Sequence, residues 1–123
     1  MLEWICQQCR QFPGAVERFP FGPDVLVYSV EQRMFALVGV DRVPPWLNLK
    51  CDPNRAIELR EQYAAITPGY HMNKRHWITI RLDGSVPLHL VEDLIVHSYR
   101  LVVARFPRMR RQWYEAELAR RGI

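Results

Sequence analysis

The side chains best suited to chemistry crowd into one stretch, Pro68-Gly69-Tyr70-His71-Met72-Asn73-Lys74-Arg75-His76-Trp77, which continues as Ile78-Thr79-Ile80-Arg81-Leu82-Asp83-Gly84. Strand alternation puts Ile78, Ile80 and Leu82 on one face and Trp77, Thr79 and Arg81 on the other. A second segment, Trp46–Cys51, alternates likewise, with Leu47, Leu49 and Cys51 opposed to Trp46, Asn48 and Lys50. If these strands are neighbours, two indoles, Lys50 and Arg81 share a sheet face, with Lys74, Arg75 and His76 at one end. Such a face suits nucleic acid, because rings stack on bases and cations neutralise phosphates. The same residues also fit a packing role, in which the last basic helix folds over the sheet and covers Trp46 or Trp77.

Histidine offers the other chemistry. His71 and His76 are five positions apart, so on one continuous strand they would face opposite ways, and His71 fits the turn better. Neither belongs to a helical H-x-x-x-H pair, and no acidic cluster lies beside them, so no metal is expected. The chain carries no G-x-S-x-G, phosphate-binding loop, G-x-G-x-x-G or H-E-x-x-H motif, so neither an enzyme nor a cofactor is expected. An enzymatic reading would need His71 or His76 paired with Tyr70 or Tyr99 as acid and base.

The elements that must position these groups can be traced along the chain. Residues 2–11 read as an amphipathic helix ended by Pro13-Gly14. Val25–Val30 and Arg33–Val40 read as a hairpin about Glu31-Gln32, the second run apolar on both faces as suits a central strand. Asp52-Pro53 is a helix start, and Ala56, Leu59 and Tyr63 give that helix a buried stripe to about residue 65. The strand Arg75–Leu82 follows. Pro87 then opens a long helix carrying Val91, Leu94, Ile95, Ser98, Leu101 and Val102 at helical spacing, with Ser98 free to bond the carbonyl one turn back. Phe106-Pro107 ends it. Residues 108–121 form a last helix, with Met109, Trp113 and Ala116 as its apolar contacts. The order α, β-β-β, α, β, α, α predicts an α+β two-layer sandwich: an antiparallel sheet with helices packed on one face.

Size and charge narrow the classes. A chain of 123 residues fits one domain, 1–123, with 107–123 a basic helical extension. No apolar run approaches the ~20 residues that span a bilayer, and the N-terminus lacks a signal-peptide pattern, so a cytoplasmic protein is expected. Residues 100–123 hold seven arginines and two glutamates, net +5, while the other 99 residues are net −1. That asymmetry points either to an anionic partner or to a solvated face whose last arginines complement a helix C-terminus. Cys6 and Cys9 form a C-x-x-C without a second pair, and they share a helical stripe with Leu2, Ile5 and Phe12, so core packing is expected over metal or redox chemistry. With no long apolar stripe left over, the expected state is a monomer.

Read in order, the motifs Pro13-Gly14-Ala15, Met34-Phe35-Ala36, Leu49-Lys50-Cys51-Asp52-Pro53, Pro68 to Trp77, Leu82-Asp83-Gly84 and Ser98-Tyr99 resemble the MmcQ/YjbR-like family over about residues 2–105. The most specific is His71-Met72-Asn73-Lys74 with His76-Trp77. The resemblance implies a small bacterial domain of frataxin/CyaY-like fold and a "double wing" DNA-binding role, which with the missing catalytic motifs is expected to be non-enzymatic. It carries Lys50, His71, Asn73, Lys74, His76 and Trp77 into the site, to which Arg75 and Arg81 add charge. Iron binding of the frataxin kind is not expected, since only Glu3, Glu17 and Asp24 are acidic in the first helix and strand region. The rival expectation is a small-molecule or protein-binding module in which segment 70–77 is an internally bonded clasp.

Overall fold

Asp52 shows how local sequence sets the elements. Its carboxylate accepts from the amides of Asn54 and Arg55, and Pro53 occupies the first helical position, so helix α2 (Pro53–Gln62) starts where these residues dictate. The computed structural model describes all residues, Met1–Ile123. The remaining helices are α1 (Leu2–Arg10), α3 (Leu88–Val103) and α4 (Arg108–Arg120). The strands are β1 (Ala15–Arg18), β2 (Val25–Val30), β3 (Arg33–Gly39), β4 (Trp46–Lys50), β5 (Ile66–Pro68) and β6 (Trp77–Arg81). They form one antiparallel sheet in the order β1-β2-β3-β4-β6-β5. No helix is long and apolar enough to cross a membrane.

The predicted α+β architecture is the one observed, with differences at short strands and element ends. β1 and β5 are strands that alternation does not reveal, being four and three residues long. Thr67-Pro68 reads as a helix breaker and is in fact an edge strand, where proline's missing N–H costs no ladder bond. The helix expected to reach residue 65 ends at Gln62, and the strand expected from Arg75 begins at Trp77.

One face of the sheet and the helices enclose the main core. Ile5, Cys9 and Phe12 from the α1 region, Leu47 and Leu49 from β4, Ile78 and Ile80 from β6, and Val91, Leu94 and Ile95 from α3 all belong to it. The strand parity is therefore as predicted. So is the packing of the thiols: Cys9 and Cys51 are buried, and burial pushes the Cys51 thiol up to about 11. β3 is central and buried on both faces, and a bulge where β2 shifts register lets both Phe35 and Ala36 enter the core.

α3 is tied to the sheet by polar contacts as well as apolar ones. The Ser98 hydroxyl accepts from Lys50 N at 2.9 Å and donates to Phe35 O at 2.6 Å, bridging β3 and β4, in place of the same-helix bond expected from sequence. Tyr99, fully buried, donates to Pro13 O at 2.6 Å and stacks on Phe12.

His97 links α3 to α2, its Nε2 accepting from Asp52 N at 3.2 Å, which requires a neutral ring. Burial, and after it the Arg55 guanidinium, hold the His97 imidazole below its ordinary value of 6.5. The unfolded chain therefore takes up this proton first as pH falls. The His97 contribution is complete above about 6.5 and is lost as pH drops toward the folded value. Urea midpoints measured from about pH 7.5 to about pH 5.5 should fall, and less steeply in His97→Gln, which keeps an acceptor without the titration. Equal slopes in the two proteins would assign the decline elsewhere.

Candidate functional site

The DNA-binding reading needs the second face of the sheet open, and the packing reading needs it covered. β4 and β6 do pair so that Trp46 faces Arg81, Asn48 faces Thr79 and Lys50 faces Trp77, as parity requires. However, the face is partly closed. Val27, Leu37 and Trp77 are buried together there, with Val25, Met34, Trp46 and Met72 packed against them. Trp77 keeps only 8% of its surface, so it is not the accessible indole the DNA reading expects. The last helix does not cover it, because Tyr114 and Leu118 of α4 join the main core.

The covering comes from the turn before β6. Asn48 donates to Tyr70 O at 2.9 Å and accepts from the Thr79 hydroxyl, which in turn accepts from Tyr70 N at 2.8 Å. These bonds pin Tyr70 across the middle of the face and satisfy two polar side chains that are themselves buried. The Lys74 ammonium donates to Gly69 O. Asn73 Oδ1 accepts from the amides of Arg75 and His76, a turn that delivers the chain into β6. His71, at φ 58°, sits in the turn as expected, its ring 4.0 Å from that of Tyr70. Gly69 is required by close approach, since a Cβ there would lie 2.6 Å from the Trp77 Cβ.

A cleft of about 890 Å³ opens at the sheet end marked by the Lys50–Trp77 pair. The β2–β3 turn with Arg33 and Met34, the Lys50 side chain, Trp77, and the α3–α4 corner with Arg105, Phe106 and Arg110 form its walls. Arg110 is paired with Glu31 at 3.1 Å. Arg33, Lys50 and Arg105 take part in none of the ion pairs of the structure. Burial, followed by Arg105 and Arg33, holds the Lys50 ammonium below the ordinary lysine value. Like charges gathered over a half-buried amine raise the cost of its protonated form, and an anion seated among them removes that cost.

The predicted residues therefore divide. Lys50 and Trp77 meet at the cleft, Trp77 as wall and not as stacking platform. His71, Asn73 and Lys74 build the turn. Arg75 and His76 are exposed on the approach to Trp77, and Arg75 is in no ion pair. Arg81 lies at the far end of β6 and pairs with Asp83 at 3.1 Å. Sequence reasoning missed Arg33 and Arg105 as partners of Lys50. Arg105 is one of the seven C-terminal arginines, but the fold alone brings it beside the sheet. On the enzymatic reading, the Tyr99 hydroxyl is buried against Pro13 O.

Comparison with known proteins bears on the family and the fold. The YjbR family model matches residues 10–101. The chain is 40% identical over 85 residues to the uncharacterized protein YbdF of Escherichia coli O157:H7, covering 69% of this chain and 70% of that protein. It is 33% identical over 108 residues to the uncharacterized protein YjbR of Escherichia coli K12, covering 88% and 92%. The crystal structure of Deinococcus radiodurans protein DR2400, of the DUF419 family, superposes with a TM-score of 0.88 at 38% identity, covering 94% of this chain and 88% of that one. A Pseudomonas syringae crystal structure gives 0.70 at 26% identity, with 80% and 96% covered.

The clasp predicts its own energetics. Asn48→Leu takes the donor from Tyr70 O and the acceptor from the Thr79 O–H, and should cost ~1–3 kcal/mol in urea unfolding. A loss below ~0.5 kcal/mol would show that apolar contacts alone hold the turn.

Proposed function

The chain belongs to the YjbR family, and we propose that it is a non-enzymatic DNA-binding protein that seats backbone phosphate in the cleft among Arg33, Lys50 and Arg105. The observation that carries this reading is the convergence of three cations, none held by a carboxylate, on one cleft. Phosphate oxygens answer that arrangement with charge-assisted hydrogen bonds, and displaced counterions add to affinity. Arg75, exposed two residues before Trp77, adds a contact along the approach. The protein acts as a monomer: β1 is short and charged at Glu17 and Arg18, and β5 carries Pro68, so both sheet edges are poor templates for pairing.

A second reading is supported by the burial of Trp77 and by the internally bonded turn, which are what a small-molecule binding module with a structural clasp requires. The cleft would then take a phosphorylated small ligand on the same cations.

Fluorescence anisotropy with labelled duplex DNA separates the two. Binding should weaken with salt at a log–log slope of roughly −2 to −3, as expected when two or three phosphates are neutralised. Lys50→Gln and Arg105→Gln should each reduce that slope by about one, while Arg10→Gln, which removes an arginine paired with Glu17, should not. Absence of DNA binding at low salt would sink the DNA reading. If DNA binding is absent but a phosphorylated ligand binds in a Lys50-dependent way, the second reading holds.

A further inference from the structure

α4 carries two apolar stripes, and the structure buries only one of them. Tyr114 and Leu118, four residues apart, pack into the core. Met109, Trp113 and Ala116 occupy a second stripe, since positions three and four apart stack along a helix. That stripe, expected from sequence to be the buried one, faces solvent: Met109 is 83% exposed and Trp113 55% exposed. The structure thus covers Trp77, the indole that the DNA reading needs open, and exposes Trp113, expected as an apolar contact of its helix.

The start of α4, before Trp113, is cationic and continuous with the cleft. Arg110, one turn before Trp113, lines the cleft, and Arg105 and Pro107 line it where α4 begins. Arg108, on the other flank of the stripe beside Met109, takes part in no ion pair, and neither does Arg111. The Trp113 ring stands at 88° to the Tyr114 ring, 4.8 Å between centroids, so a buried side chain props it. A propped, exposed indole on a helix whose first turn lines a cationic cleft matches the alternation of charge and π-face along a nucleotide chain.

We propose that Trp113, with Met109 and Arg108, is a base-stacking platform, and that the preferred partner of this protein is single-stranded nucleic acid running from the cleft across the outward face of α4. This inference rests on the phosphate role of the cleft and adds the strandedness of the ligand. A duplex keeps its bases stacked inside, so an indole on a convex helix surface meets only bases that are already unstacked. An anionic bilayer fits less well. A helix lying on a membrane offers it a broad apolar face, and here Tyr114 and Leu118 are committed to the core, leaving two large apolar side chains.

The test compares a labelled oligo-dT with a duplex of equal length, using the full chain and low salt. Trp113→Ala should weaken oligo-dT binding about tenfold or more while changing duplex binding less than about twofold. Trp113→Phe should restore most of the loss, and oligo-dT should quench tryptophan emission in the parent but less in Trp113→Ala. Circular dichroism melts of each variant keep misfolding from imitating the effect. Lys50→Gln should weaken both ligands. If Lys50→Gln weakens binding but Trp113→Ala spares oligo-dT, the platform is wrong and the phosphate role of the cleft survives. Equal weakening of duplex and oligo-dT by Trp113→Ala also overturns the single-strand preference. Absence of all nucleic-acid binding overturns both. Adherence to anionic phosphatidylserine vesicles that depends on Trp113, without oligo-dT binding, would assign the stripe to a bilayer instead.

Discussion

The hydrogen bonds among Asn48, Thr79 and the Tyr70 backbone decide what the second face of the sheet can be. Two short polar side chains sit side by side on paired strands, buried at 1% and 9% exposure, and each needs a partner. The turn 69–76 supplies it by folding back over the sheet. Once Tyr70 is fixed there, Met72 joins the cluster containing Trp77, Val27 and Leu37, and the face ceases to be an open platform. The motif that looks most functional in the sequence is thus mainly structural. What it leaves to chemistry is the edge of the covered face, where Lys50 pairs with Trp77 and the cleft begins.

The opposite side of the same strand pair is anchored as firmly. Ser98 reaches from α3 to Lys50 N and Phe35 O, so the end of β4 is held by a side chain from the helical layer. Lys50 therefore leaves a backbone fixed from below by Ser98 and laterally by β6. The backbone fixes where the Lys50 side chain starts, and its flexible stem carries the ammonium into the cleft. Its proximity to Arg105 and Arg33 is a property of tertiary structure: one arginine starts β3 and the other follows α3.

These particulars explain what could be read in the sequence. Parity along Trp46–Lys50 and Trp77–Arg81 assigned every side chain to its face, because a period of two leaves no third choice. The helix stripes of α1 and α3 were legible for the same reason. β1 and β5 were not, since three or four residues cannot establish a period and each pairs only along an edge of the sheet. α4 failed differently. Its two stripes are both apolar enough to be buried, one with Tyr114 and Leu118 and one with Met109 and Trp113, and only the tertiary fold chooses between them. Ser98 was placed on the buried stripe, but its partners lie 48 and 63 residues away, beyond any local pattern.

The candidate site is consequently a junction, not a motif. The family match ends at residue 101, and Arg105 and Arg110 come after it, whereas Arg33, Lys50 and Trp77 lie within it. A cleft assembled from both parts can keep its sheet wall while its helical wall changes with the sequence of α4. Charge in this chain follows the same division: the C-terminal 24 residues are net +5, and much of that charge is held in ion pairs with Glu31, Glu115 and Glu117. The arginines that remain unpaired, 105, 108 and 111, cluster where α3 gives way to α4. Of these three only Arg105 lines the cleft, so the local placement of charge, and not the total charge of the chain, sets the field there.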